Sequence, residues 1–189
     1  MIFSMKKLFL CLGITSLLVA CGGGTNAVVT CTNQYWDGAV GTCLPAGWHV
    51  VNRAALADKG VPADVLVAFQ ADLPTSGQFP AVTVTRESLV KQMTSIEYSS
   101  ASVLSVQGMQ GYTKVDTQTI QIDGKDVTLH TFTAQPRADQ PKIRFYQVSA
   151  AMGATGYTYT AATPVTIAGT LEQQILLILK NATLTAPKK

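Results

Sequence analysis

Two histidines, His49 and His130, are the only imidazoles in this 189-residue chain, and Cys11, Cys21, Cys31 and Cys43 are its only thiols. Covalent catalysis needs a Ser, Thr or Cys beside an oriented base. No Gly-x-Ser-x-Gly elbow occurs, and both histidines sit inside strand-like patterns, among Val and Thr rather than acids. A lone strand histidine reads first as a partly buried structural residue; the pair would bind a metal only if the sheet made them neighbours. Asp123 and Asp126 flank a turn, where Asp belongs for backbone reasons. Asp58, Asp64 and Asp72 lack the compact oxygen spacing of a calcium loop. Neither Gly22-Gly23-Gly24 nor Gly108-Met109-Gln110-Gly111 leads from a strand into a helix as a phosphate cradle does. The expectation is therefore no catalytic residue, no metal and no cofactor.

The remaining chemistry belongs to cysteine. Cys31 and Cys43 form an even pair that reads as a disulfide in an oxidising compartment. Eleven intervening residues and no second pair make no zinc pattern. The enclosed segment carries Tyr35 and Trp36. It reads first as a surface loop stapled to the domain, and second as a presented recognition loop, since both aromatics favour binding hot spots. A second exposed loop, 135–142, is bounded by Pro136 and Pro141 and offers Arg137 and Asp139. These four residues are the candidate binding residues, chosen by loop position.

Upstream, Met5-Lys6-Lys7 precedes an apolar run from Leu8 to Val19, too short for a membrane-spanning helix of roughly 20 residues. Leu18-Val19-Ala20-Cys21 closes it and resembles a bacterial lipobox; the alternative is an ordinary secretory signal. The resemblance implies removal of residues 1–20, lipidation of Cys21, and a flexible tether over 21–30 leading into a single domain at 31–189. Anchoring by several acyl chains is stable where one chain is marginal. Gly22 after the cysteine resembles sorting to the periplasmic face of the outer membrane in Gram-negative hosts. The nine residues from Gly22 to Thr30 reach at most about 30 Å, so the domain is expected beside a bilayer. Loss of Lys6 and Lys7 leaves 12 basic against 11 acidic residues. That balance argues against a nucleic-acid partner.

The elements that would position these residues follow from hydrophobic period. Trp48 to Val51 reads as a strand with Trp48 and Val50 on one face. Ala54 to Lys59 reads as a short helix, and Val65 to Gln70 and Ala81 to Thr85 as strands. A helical pattern from Glu87 to about Gln107 is expected to break at Ser99 to Ser102. Val115 to Ile122 and Val127 to Ala134 flank Asp123-Gly124 as a hairpin, followed by strands at Ile143 to Ala150 and Tyr157 to Ala161. The last helix carries a stripe of Leu171, Ile175, Ile178 and Leu179, with Thr170 and Gln173 as an expected capping box and Asn181 as its stop. Ala182 to Thr185 reads as an edge strand.

This order, with Leu44-Pro45-x-Gly47-Trp48 opening a strand, the Asp123-Gly124 hairpin, Tyr157-x-Tyr159 and the Leu171-to-Leu179 helix, resembles the PsbP-like fold, whose bacterial members include the DcrB and LpqN lipoproteins. The resemblance implies an α+β domain, an antiparallel sheet flanked by helices in an α/β/α sandwich, and a non-enzymatic binding or assembly role. The expected function is a lipid-anchored cell-envelope module with an envelope protein partner. The alternatives are a carrier of a lipid or other apolar ligand, and a cryptic hydrolase using His49 or His130.

Overall fold

A computed structural model describes residues 28–75 and 77–186. The leader, Cys21, most of the tether and the tail at 187–189 lie outside the described residues. The chain runs β1 (Asn33–Trp36), β2 (Gly41–Leu44), β3 (Trp48–Val51), α1 (Arg53–Asp58), β4 (Val65–Ala71), β5 (Ala81–Ser88), α2 (Ser95–Val106), β6 (Thr113–Ile122), β7 (Lys125–Ala134), β8 (Ile143–Met152), β9 (Thr155–Thr163) and α3 (Gly169–Lys180). Strands β3 to β9 form one seven-stranded sheet in the order β3-β4-β5-β9-β8-β7-β6. Every pairing in it is antiparallel.

Alternation assigns the two faces. On one, Phe69, Val82, Val84, Val148, Tyr159 and Ala161 are at most 1% exposed and meet the α3 stripe of Leu171, Ile175, Ile178 and Leu179. Tyr146 ties this layer to α3 by donating to Glu172 at 2.8 Å, and Trp48 Nε1 donates to Gln174 at 3.1 Å. The opposite face carries α1 over β3 and β4, through Val51, Leu56 and Ala68, and α2 over β7 and β8. Helices on both faces of an antiparallel sheet make the expected α+β sandwich.

Five local expectations are corrected. Residues 31–43 are not an open loop. Their ends are joined by the Cys31–Cys43 disulfide, but the interior folds as the β1–β2 hairpin, seated on α3 with Cys43 fully buried. Glu87 and Ser88 extend β5 instead of opening a helix, because they pair with Gly156 and Thr155. α2 then runs unbroken through Ser99 to Ser102: Ser95, Ser99 and Ser102 bond outward to the sheet, while Ser100 and Ser105 donate back to the Ile96 and Ser102 carbonyls of their own helix. Ser95 exchanges bonds with the Ala151 main chain, Ser99 accepts from Thr128 N at 2.9 Å, and Ser102 meets Ser149 at 2.8 Å. The capping box lies at Thr94 and Glu97 of this helix. α3 begins one residue before Thr170, at Gly169, after Ala168 and without a side-chain cap, so its buried stripe holds it. Residues 182–185 contribute one bridge, Thr183 to Gly41, rather than a strand.

The α2–sheet contact depends on a bare backbone at Gly156, where a Cβ would overlap the Tyr98 ring. Tyr98 is 6% exposed and bonded at its hydroxyl, so it has no easy retreat. Gly156→Ala should destabilise the domain by about 1–3 kcal/mol, read as a lowered denaturant midpoint. An unchanged midpoint would show that Tyr98 moves freely.

Candidate functional site

Between α1 and α2 a strip of sheet stays uncovered. Its residues come from the faces of β5 and β9 opposite the core. Each strand there alternates an inward apolar residue with an outward threonine, as in Val82-Thr83-Val84-Thr85 and Thr158-Tyr159-Thr160-Ala161. Threonine keeps the β-branching that suits a strand while its hydroxyl gives the outer face hydrogen-bonding capacity. Thr83 stands opposite Thr160 and Thr85 opposite Thr158, and Gln147 of β8 stands beside Thr160. Thr85, Thr158, Thr160 and Gln147, with Ser102 and Ser105 of α2, line a polar trough of about 390 Å³, whose lining also includes Asp64, Arg86 and Glu87.

Its α2 wall is held by a chain of hydroxyls. Tyr98 donates to Glu87 at 2.7 Å and lies 3.2 Å from Thr158 Oγ1. Thr158 meets Ser149 at 2.9 Å, and Ser149 meets Ser102 at 2.8 Å. Burial, opposed by the Thr158 hydrogen bond and reinforced by Glu87, pushes the Tyr98 phenol up to about 12. It therefore stays a donor at any physiological pH. Gln147 donates to Thr160 Oγ1 at 3.3 Å, while its own Oε1 is buried without a partner. Such an unsatisfied group carries a desolvation cost. The trough can recognise a polar group through hydroxyls and an amide. The groups in it able to take a proton from them are the Asp64 and Glu87 carboxylates, and Glu87 already accepts from Tyr98.

The sequence-derived candidates do not converge here. Tyr35 is half buried, packs edge-on against Phe69 at 5.2 Å and donates to Asp37 at 3.3 Å. Burial first, then the Asp37 carboxylate, pushes its phenol up to about 12. Trp36 stands opposite Gly41, where a Cβ would come within 2.8 Å of the indole. Gly41 bridges Thr183 beside the Asp123 turn, at one end of the sheet. Arg137 and Asp139 are exposed in the β7–β8 loop at the other end. Residues of the trough were missed because no motif marks them; the signal available was the threonine–valine alternation of β5.

The two histidines stand on β3 and β7, five strands apart in the sheet. His49 Nδ1 lies 2.6 Å from Asp72, both about half exposed. Among the described residues no three His, Cys, Asp or Glu side chains cluster as a metal site would require. His130 is 1% exposed and stacked on Phe132 at 5.1 Å, with Nε2 3.0 Å from the Tyr112 hydroxyl and Nδ1 unpartnered. Burial, then the Lys114 charge, holds its pKa below 6.5, against a weaker opposing pull from the Asp116 backbone.

A depressed histidine favours the neutral native state. Its contribution is complete above the unfolded value and is lost as pH falls through the folded one. The unfolding midpoint of the wild-type domain should therefore fall more steeply from pH 7 to pH 5 than that of His130→Phe. Parallel profiles for the two proteins would show that His130 adds nothing to acid sensitivity.

No protein-family model matches the chain, and no curated protein matches its sequence. The solved structures that match the chain include the following three. The cyanobacterial PsbP (CyanoP) of Synechocystis sp. PCC 6803 is 16% identical, with 89% of this chain and 99% of that one covered at a TM-score of 0.53. A protein from Bacteroides thetaiotaomicron is 7% identical over 85% of this chain and 50% of its own, at 0.50. Protein PA94 of Pseudomonas aeruginosa, of unknown function, is 12% identical over 70% of this chain and 82% of its own, at 0.44. At these identities the likeness to CyanoP is one of architecture alone, and the architecture of this chain is PsbP-like.

Proposed function

We propose that the chain is a lipid-anchored, non-enzymatic module of the cell envelope that binds an envelope protein partner through the polar trough. The observation that carries this reading is the trough's composition. Its hydroxyls are bonded to one another and end on Glu87, beside Arg86 and Asp64, so it offers neutral donors and acceptors flanked by charges of both signs. The lipobox resemblance supplies the anchor and the short tether its reach. A hydrolase reading has less to draw on, because the only hydroxyl hydrogen-bonded to an imidazole among the described residues is the poorly nucleophilic phenol of Tyr112.

A second reading, carriage of an apolar ligand, draws on a different cavity. It measures about 440 Å³ at the sheet end beside the start of α2 and is lined by Ile96, Ile122, Met152 and Leu184. The layer between α3 and the sheet leaves less room, being filled by Phe69, Tyr146 and Tyr159.

A photo-cross-linking residue at Ser105, on the trough wall, should give a discrete protein adduct in the intact envelope, and one at Arg137 should give none. Adducts from Arg137 alone would move recognition to the β7–β8 loop. In the same cells Cys21→Ala should abolish palmitate labelling and release the protein from the membrane fraction; retention of both would refute the anchor. Solvent extraction of the purified wild-type protein separates the second reading, which requires a stoichiometric apolar molecule where the first expects none.

A further inference from the structure

β6 is the outermost strand of the sheet and ten residues long, whereas the opposite edge, β3, has four. Thr113 to Thr119 and Gln121 are exposed. Which of its backbone groups are unpaired follows from the turn. Asp123 and Gly124 have φ of 51° and 74°, the two positive values of a two-residue type I′ hairpin. Ile122 and Lys125 flank that turn and stand opposite one another, so they exchange hydrogen bonds. Antiparallel ladders alternate from there. Ile120 and Gln118 bond inward to β7, and Thr117, Thr119 and Gln121 aim N–H and C=O away from it.

Natural sheet edges are blunted by charge, proline, bulges or cover. β6 has its charges, Lys114 and Asp116, and its bulge at one end. Thr117 to Ile122 holds no charge and no proline. We infer that this half-strand is an interface, and that its occupant is the same segment of a second copy, antiparallel and related by a twofold axis at Thr119. Residues opposite one another across an antiparallel pair share a face, so Thr119 meets Thr119 of the second copy and Thr117 meets its Gln121. All three outward-facing residues then exchange main-chain bonds. Gln118 meets Ile120 of the second copy. Asp116 meets its Ile122, and neither Asp116 nor Lys114 faces a like charge. Self-pairing about one axis is the isologous arrangement that closes at two copies.

The test is cysteine trapping on the full chain in its native envelope. Opposed residues across such a pair have Cα atoms within disulfide range, and Cys31 and Cys43 are already bonded. Thr119→Cys should give a thiol-reversible species of twice the chain mass. Asp116→Cys, displaced from the axis, should stay at single mass. Thr119→Pro removes one outward N–H without touching the bonds to β7. It should return the purified protein from twofold to single mass while keeping a cooperative unfolding transition. Single mass for Thr119→Cys, equal trapping of Asp116→Cys, or a trapped species of another mass containing a different protein would each overturn the pairing with a second copy.

Discussion

The pairing of β5 with β9 is the contact on which the rest of the structure depends. It joins residues more than 65 positions apart, Val82 opposite Ala161 through Ser88 opposite Thr155. Without it the N-terminal strands and the β6–β9 meander would be separate pieces, each with an open edge. Closing so long a loop is entropically costly, and the return comes from both faces together. Inward, Val82, Val84, Tyr159 and Ala161 complete the apolar layer under α3. Outward, the Thr83 and Thr85 hydroxyls donate to the carbonyls of Thr160 and Thr158.

That junction also creates the trough. α2 covers the meander side and α1 covers β3 and β4, which leaves the central strands bare where the two halves meet. A bare apolar strip would invite aggregation, and threonines fill it instead. The α2 contact is correspondingly made by serines and one tyrosine rather than by leucines. Hydroxyl-to-hydroxyl bonds fix that wall more directionally than apolar packing does, because a buried polar group that loses its partner is penalised. Leu104 and Ile96 of α2 remain 66% and 54% exposed, as expected of a helix whose buried face is largely polar.

The opposite face is built to exclude rather than to bind. The β1–β2 hairpin closes over the α3 layer, and the Tyr159 hydroxyl reaches from the sheet to donate to the Gly41 carbonyl at 3.0 Å. Asp123 accepts from the Leu184 main chain at 2.8 Å and from the Thr183 and Thr185 hydroxyls, pinning the C-terminal segment beside Gly41. The aspartate of the β6–β7 turn thus holds a second element as well as its own backbone conformation.

Local sequence determined the elements whose signals are carried by adjacent residues. The Asp123-Gly124 turn specified its hairpin because Asp and Gly tolerate positive φ. Leu171, Ile175, Ile178 and Leu179 marked the buried stripe of α3 because helical period places them on one face. Asn181 ends that helix as expected. The cysteine pair was legible from number and spacing, and the PsbP-like order of elements from their succession. Tertiary structure decided what adjacency cannot encode. Glu87 became strand because Gly156 lies across from it, and Ser99 stayed helical because Thr128 N satisfied its hydroxyl. The segment containing Tyr35 became a hairpin because Phe69 and α3 offered it a surface. The trough exists only because α1 and α2 dock apart on the same sheet face, and those positions follow from long-range packing rather than from any residue's neighbours in the chain.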